Sequence, residues 1–207
     1  MDFLNSIILL TNFIIVPGIT YGSQLALGAI GVTLIYGVLR FANFAYGDLM
    51  AFGTMIVILV TWFLQSKGIT FGLLPTALLA LPVGILLTIA VSLFFDKTVF
   101  EYYRNKKSDP VTFIVVSLGI MFVLNAVVRI IIGPNDINFM DGHKFIMKAR
   151  EFKQMTGLNE GLALKSTQVI TLITTIITCS ILFYFLNKTK TGKSMRAYSN
   201  NEDLALL

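Results

Sequence analysis

Arg40, Asn43, Tyr46 and Asp48 gather a guanidinium, an amide, a phenol and a carboxylate into one short stretch whose neighbours Phe41, Ala42, Phe44 and Leu49 are apolar. Such groups do one of two things. They hydrogen-bond and charge-match a small polar cargo, or they mark a hairpin that stands in water. A charged side chain at the centre of a bilayer costs on the order of 3 kcal/mol on insertion scales, so it needs a partner or water there. Two arrangements fit. In the first, which physics alone favours, Arg40 and Asp48 flank a tight cytoplasmic hairpin. In the second the helix breaks, and Asn43, Tyr46, Gly47 and Asp48 line a polar cavity at depth, where irregular backbone is tolerated if protein or water satisfies it. Gln24 upstream and Asn125 further along add two amides to the polar groups expected to line a path.

Other chemistries are excluded by what the chain contains. His143 is the single histidine and Cys179 the single cysteine, so no metal set, disulfide or His-based catalytic group can be assembled. No paired intramembrane carboxylates are present either, and the expectation is a non-enzyme with no metal and no cofactor. Gly192-Lys193-Ser194 invites a phosphate-loop reading, but the glycine required five residues earlier is Asn187, and an apolar helix precedes it instead of a strand. The chain does not bind ATP by that route.

The elements that must position these residues are membrane spans. Of 207 residues 56% are hydrophobic and 13% charged, about half the charged share of a soluble domain. Mean hydropathy is +0.80. This rules out a soluble enzyme, a nucleic-acid-binding domain and a disulfide-stapled secreted module. The net charge of +5 fits basic loops facing the cytoplasm, since no basic run is interleaved with aromatics that would stack bases. About 20 apolar residues are needed to cross the hydrocarbon core. Candidate spans are roughly 3–17, 19–39, 44–65, 71–95, 111–132 and 167–186. The expected fold is an all-α polytopic membrane helix bundle of about six spanning helices, broken near 40–48 in the second arrangement. Pro17-Gly18 is expected to end the first of them. Residues 1–207 read as a single transmembrane domain.

Lys97, Arg104, Lys106 and Lys107 after the fourth span, and Lys188, Lys190, Lys193 and Arg196 after the sixth, set the direction. With six spans they place the N-terminus and the segment after 186 inside and the loop 133–166 outside. In that loop Gly133-Pro134-Asn135-Asp136 stops the fifth helix. Residues 144–156 are expected to form a short surface helix with Phe145, Ile146, Phe152 and Met155 toward the membrane. Small residues at 22, 26, 28, 29 and 31 predict a packing face on the second span, with a backbone-lined path as the sharper alternative.

The stretch Leu34-Ile35-Tyr36-Gly37-Val38-Leu39-Arg40 followed by Asn43-Phe44-Ala45-Tyr46-Gly47-Asp48-Leu49 resembles the signature of the permease subunits of branched-chain amino acid ABC importers, which runs close to L-I-Y-G-V-L-R-x-I-N-F-A-H-G-D-L. Ala42 and Tyr46 depart from it, and tyrosine in place of histidine removes a group that titrates near neutral pH. Ser117-Leu118-Gly119-Ile120 with Ile132-Gly133-Pro134 resembles the family's S-L-G helix ending in F-G-P. Thr191-Gly192-Lys193-Ser194-Met195-Arg196-Ala197 resembles its T-x-x-G-R-A-M-R-A segment, and Asp96-Lys97 stands for its acidic–basic pair after the fourth span.

The resemblance implies a bacterial inner-membrane permease that works with a second, homologous permease subunit, cytoplasmic ATP-binding subunits, a periplasmic substrate-binding protein and membrane lipid. It implies that 187–207 docks on the ATPase through Arg196, Asn201, Glu202, Asp203 and Leu204, with Asn200 or Asn201 capping the docking helix. It implies further spans beyond Leu207, and so a piece of a longer gene product. Urea or short amides are alternative cargoes within the family. An ATP-independent secondary transporter is the rival outside it.

Overall fold

The computed structural model describes residues 2–72, 74–135, 139, 141, 145–157 and 159–200. It is all-helical apart from one small strand pair, and five of its helices are long and apolar enough to cross a membrane. These are α1 (Phe3–Leu39), α2 (Tyr46–Ser66), α3 (Ala77–Asn105), α4 (Pro110–Ile132) and α6 (Ser166–Lys188). Between α4 and α6 lie β1 (Phe145–Met147), α5 (Ala149–Thr156) and β2 (Leu164–Lys165), and α7 (Lys190–Asn200) follows α6. The chain divides into two compact units, Leu39–Gly142 and the remainder.

The first two expected spans are one helix. Pro17 lacks an amide hydrogen and its ring crowds the preceding turn, which ordinarily ends or kinks a helix. Here Thr11–Ile15 just before it winds as a π-helical turn, and the wider turn takes up the proline without a break. At 1.5 Å per residue α1 is about 55 Å long, well beyond a core of about 30 Å.

The unit Leu39–Gly142 is a three-helix arrangement. α2 and α3 run antiparallel and meet through two glycines: a Cβ on Gly53 would lie 2.6 Å from the Thr88 hydroxyl, and one on Gly84 would strike the Val57 side chain. Close backbone approach through small residues is how helices associate in lipid. The expected small-residue face was elsewhere, and Gly22 and Gly28 on α1 have open space where a side chain would go. α4 runs parallel to α2. Its first turn is set by Pro110 following Asp109, and it stops at Gly133, whose φ of +103° suits glycine. The core gathers Phe41, Ala45, Phe100, Ile120 and Leu124. The Phe41 ring stacks on Phe113 at 5.1 Å and meets Phe100 at 5.8 Å. A second π-helical turn, Asp96–Phe100, lies within α3. Asp96 pairs with Arg104 at 2.9 Å, so its partner is not its neighbour Lys97. Lys106, in the turn that follows, is held above its usual pKa chiefly by its hydrogen bond to the Tyr102 side chain.

In the other unit β1 and β2 pair antiparallel, and α5 closes at Gly157 in the left-handed region. The expected surface helix 144–156 is therefore shorter: Phe145 and Ile146 lie on a strand, and helix begins at Ala149. Asn5 and Asn12 of α1 accept the amide hydrogens of Glu160 and Ala163, fastening this segment to the first helix. Thr189 opens α7 by accepting the Gly192 amide hydrogen at 3.0 Å, and a side chain at Gly192 would strike the Phe185 carbonyl.

Candidate substrate path

The chain leaves the helix at 40–45, as both the hairpin and the break at depth require. α1 ends at Leu39, Arg40 adopts φ +59°, and α2 begins at Tyr46. A left-handed conformation costs a non-glycine residue on the order of 1 kcal/mol, which the packing around it must overcome. That packing is strong. Phe41 and Ala45 are buried, and the Phe44 amide hydrogen is donated to the hydroxyl of fully buried Ser117 at 3.1 Å. Ser117 in turn donates to the Ile114 carbonyl at 2.7 Å. Asn43 accepts the Ala45 amide hydrogen at 3.1 Å. The Phe44 and Ala45 amides of the connector are thus satisfied by side chains of the protein, a condition for irregular backbone to persist away from bulk water.

Asp48, in the first turn of α2, accepts a hydrogen bond from the Asn125 side chain at 2.9 Å. The Asn125 carbonyl oxygen accepts from Arg129 Nε at 2.8 Å. The amide is therefore a bridge between a carboxylate and a guanidinium on two different helices. Along α4, Asn125 lies about 22 Å from one end and about 10 Å from the other at 1.5 Å per residue. Asp48 and Asn125 are half-buried and Arg129 is exposed.

Of the expected path residues the structure brings Asp48 and Asn125 into contact. Tyr46 sits half-buried two residues before Asp48, and Asn43 commits its side-chain oxygen to the turn that starts α2. Gln24 lies on α1 in the other unit with its side chain exposed. Arg129 and Ser117 were absent from the expected path. For Arg129 the signal was periodicity: it follows Asn125 by four residues, so the two share one face of α4, while Ser117, eight residues before Asn125, is turned about 80° from it.

Arg196 lies on α7 and donates to the side-chain oxygen Oδ1 of Asn187 at 2.9 Å. Asn200 is the last described residue of α7, a helix opened by Thr189. Asn201, Glu202, Asp203 and Leu204 lie outside the described residues.

The described residues thus make an all-α polytopic bundle with the spans of an integral membrane protein. Residues 14–207 match the family described as "Branched-chain amino acid transport system / permease component", and the chain is a member of that family. It is 25% identical over 194 residues to the high-affinity branched-chain amino acid transport system permease protein LivH of Escherichia coli K12, covering 92% of this chain and 59% of that protein. The corresponding LivH of Salmonella typhimurium is 24% identical over the same shares. BraD of Pseudomonas aeruginosa, a permease protein of the same description, is 24% identical over 93% of this chain and 59% of its own length. The chain thus spans about three fifths of these relatives. No solved structure matches it.

Proposed function

We propose that this chain is the membrane-spanning permease component of an ATP-driven importer of branched-chain amino acids in a bacterial inner membrane. The observation that carries this reading is the interrupted helix at 40–45, held on α4 by Ser117 and flanked by the Asp48–Asn125–Arg129 bridge. A transport path needs polar groups inside the membrane and backbone that can rearrange, and this segment supplies both. Gln24, Asn43 and Tyr46 are further path residues in this reading. The cargo undergoes no covalent change, so no catalytic group is required.

Motion comes from outside the chain. Cytoplasmic ATP-binding subunits close on ATP and drive α7 and the residues after it, from Arg196 through Leu204. α7 passes the motion on because Gly192 sits directly on the end of α6 and Gly37 of α1 faces Ser199 closely, where a Cβ would lie 3.2 Å from its hydroxyl. A second permease subunit completes the path, and a periplasmic binding protein delivers the cargo. With α1 crossing once, keeping Lys106, Lys107 and the basic end of α6 inside places the N-terminus on the outer face. A cysteine introduced at Asn5 then reacts with an impermeant maleimide from outside; protection from outside and labelling from within would restore the two-span reading of 3–39.

The decisive test is reconstitution of the full-length gene product with its ATPase and binding protein in proteoliposomes. Leucine, isoleucine or valine uptake that requires ATP supports the importer. Uptake without ATPase subunits would establish a secondary transporter instead.

A further inference from the structure

We infer that Asp48 and Arg129 form a reader for the charged head of an α-amino acid, with Asn125 as the spacer that holds the two charges apart; the inference rests on the importer reading above.

Three observations carry it. The first is that the two charges do not neutralise each other directly. Among the described residues the ion pair within hydrogen-bonding distance is Asp96–Arg104, and Asp48 reaches Arg129 through the Asn125 amide alone. A structural ion pair gains most when the guanidinium fork closes on the carboxylate in a bidentate contact, as Arg104 does on Asp96. The second is spare capacity. A carboxylate offers about four acceptor sites and a guanidinium five donors. Asp48 uses Oδ1 on Asn125 and Arg129 uses Nε, which leaves Asp48 Oδ2 and both terminal nitrogens of Arg129 without hydrogen bonds among the described residues. The third is spacing. The two hydrogen bonds and the amide between them put the carboxylate and the guanidinium no more than about 8 Å apart. An α-amino acid head, with one hydrogen bond of about 2.8 Å on each side, bridges the same gap.

The chemistry is complementary in sign. The Arg129 terminal nitrogens take the cargo carboxylate in a fork, and Asp48 Oδ2 takes the ammonium. A cargo without charges, such as urea or a short amide, can hydrogen-bond at both ends but gains no charge pairing at either. The reader therefore selects the amino acid class within the family and leaves the side chain to be chosen elsewhere. Asn125 is a positioning residue in this scheme.

The test uses the full-length permease assembled with its ATPase and leucine-loaded binding protein in proteoliposomes. Arg129→Gln and Asp48→Asn, each near-isosteric at the bridging bond, are expected to lower the leucine uptake rate at least tenfold. ATP hydrolysis and complex yield should hold, so that ATP consumed per leucine rises. The double variant Asp48→Asn/Arg129→Gln separates charge reading from a structural strut. It keeps hydrogen-bonding groups on both helices and removes both charges, so a strut predicts recovery of uptake and the reader predicts none. Leucine uptake within twofold of the wild type in either single variant, or recovery in the double, overturns the proposal. If Arg129→Gln fails to assemble, Asp48→Asn decides alone. A wild-type complex that carries urea or an amide but no amino acid overturns the cargo of the parent reading and the reader with it, whereas undiminished leucine uptake by the single variants overturns the reader alone. A wild type that transports nothing with ATP fails the parent reading instead.

Discussion

The span hydroxyls of α1 and α6 and the side chains that join α2, α3 and α4 do different things. On α1 and α6 the hydroxyls of Thr20, Ser23, Thr33, Thr171 and Ser180 each donate to the carbonyl four residues back in their own helix. In the unit Leu39–Gly142, Ser117 takes an amide hydrogen from the connector, Asn125 reaches Asp48 across helices, and Asp141 accepts from Gln65 and from the Ala77 amide at the start of α3. A hydroxyl bonded to its own helix brings no unsatisfied group into lipid and specifies no neighbour. A side chain bonded to another element fixes where that element sits. Abundance of Ser and Thr in a span is therefore uninformative about packing, and the destination of each bond is what counts.

The largest expected effect breaks the packing on which that contrast rests. Gly84→Leu forces a side chain into Val57 at the α2–α3 contact. Overpacking of this kind costs typically 1–3 kcal/mol and more where backbone cannot shift. The expectation is loss of monodisperse protein in detergent, whereas Gly28→Leu on α1, with open space around it, should leave the elution profile unchanged. Next comes Asn125→Leu, which removes the bridge and leaves Asp48 and Arg129 without their partner. Unmade bonds to charged groups cost about 1–3 kcal/mol, a drop readable in equilibrium unfolding by denaturant in mixed micelles.

The contrast between these two kinds of bond explains what was readable in the sequence. Membrane class, helical architecture and the interrupted stretch around 40–48 follow from composition and from polar residues in an apolar run, because lipid tolerates few exceptions. Asp48 and Asn125 were legible for the same reason. Arg129 was visible as an ionisable residue, but its place in the bridge required knowing which face of α4 meets α2. The single long α1 was not legible: Pro17-Gly18 is a stop signal in most settings, and a π-helical turn leaves no mark in residue types. The glycine contact between α2 and α3 was not foreseen for a related reason. Small residues are more frequent at 22–31, yet it is the pairing of Gly53 with Gly84 across an antiparallel interface that permits contact, and pairing is a tertiary property. The shortened surface helix after α4 reflects the strand pairing of Phe145 with Lys165, which local periodicity cannot reveal.

A smaller effect sharpens the contrast within one residue type. Ser117→Ala leaves the Phe44 amide hydrogen without its acceptor next to a buried site, at a cost of about 1–3 kcal/mol. Ser180→Ala removes a hydroxyl bonded within α6 on an exposed face, where substitutions usually fall within about 0.5 kcal/mol. The same change in two helices thus separates a bond that joins elements from one that does not. Equal loss of thermal stability in both variants would remove the distinction.

The smallest effect belongs to Arg104→Gln. The Asp96–Arg104 pair is bidentate at 2.9 Å and spans the π-helical turn of α3, geometry that would suggest a strong contribution. Both side chains are nearly half exposed, at 47% and 46%, and exposed pairs contribute about 0–1 kcal/mol because water and salt screen them. The pair bonds within its own helix, so it resembles the hydroxyls of α1 and α6 more than the bridge at Asn125, although it lies in the other unit. The expected result is a small destabilisation at low salt that vanishes near 1 M salt, where the screening length falls to about 3 Å. A loss that persists at high salt would mean that the pair holds the π-helical turn, and with it the buried Phe100, against the ring of Phe41.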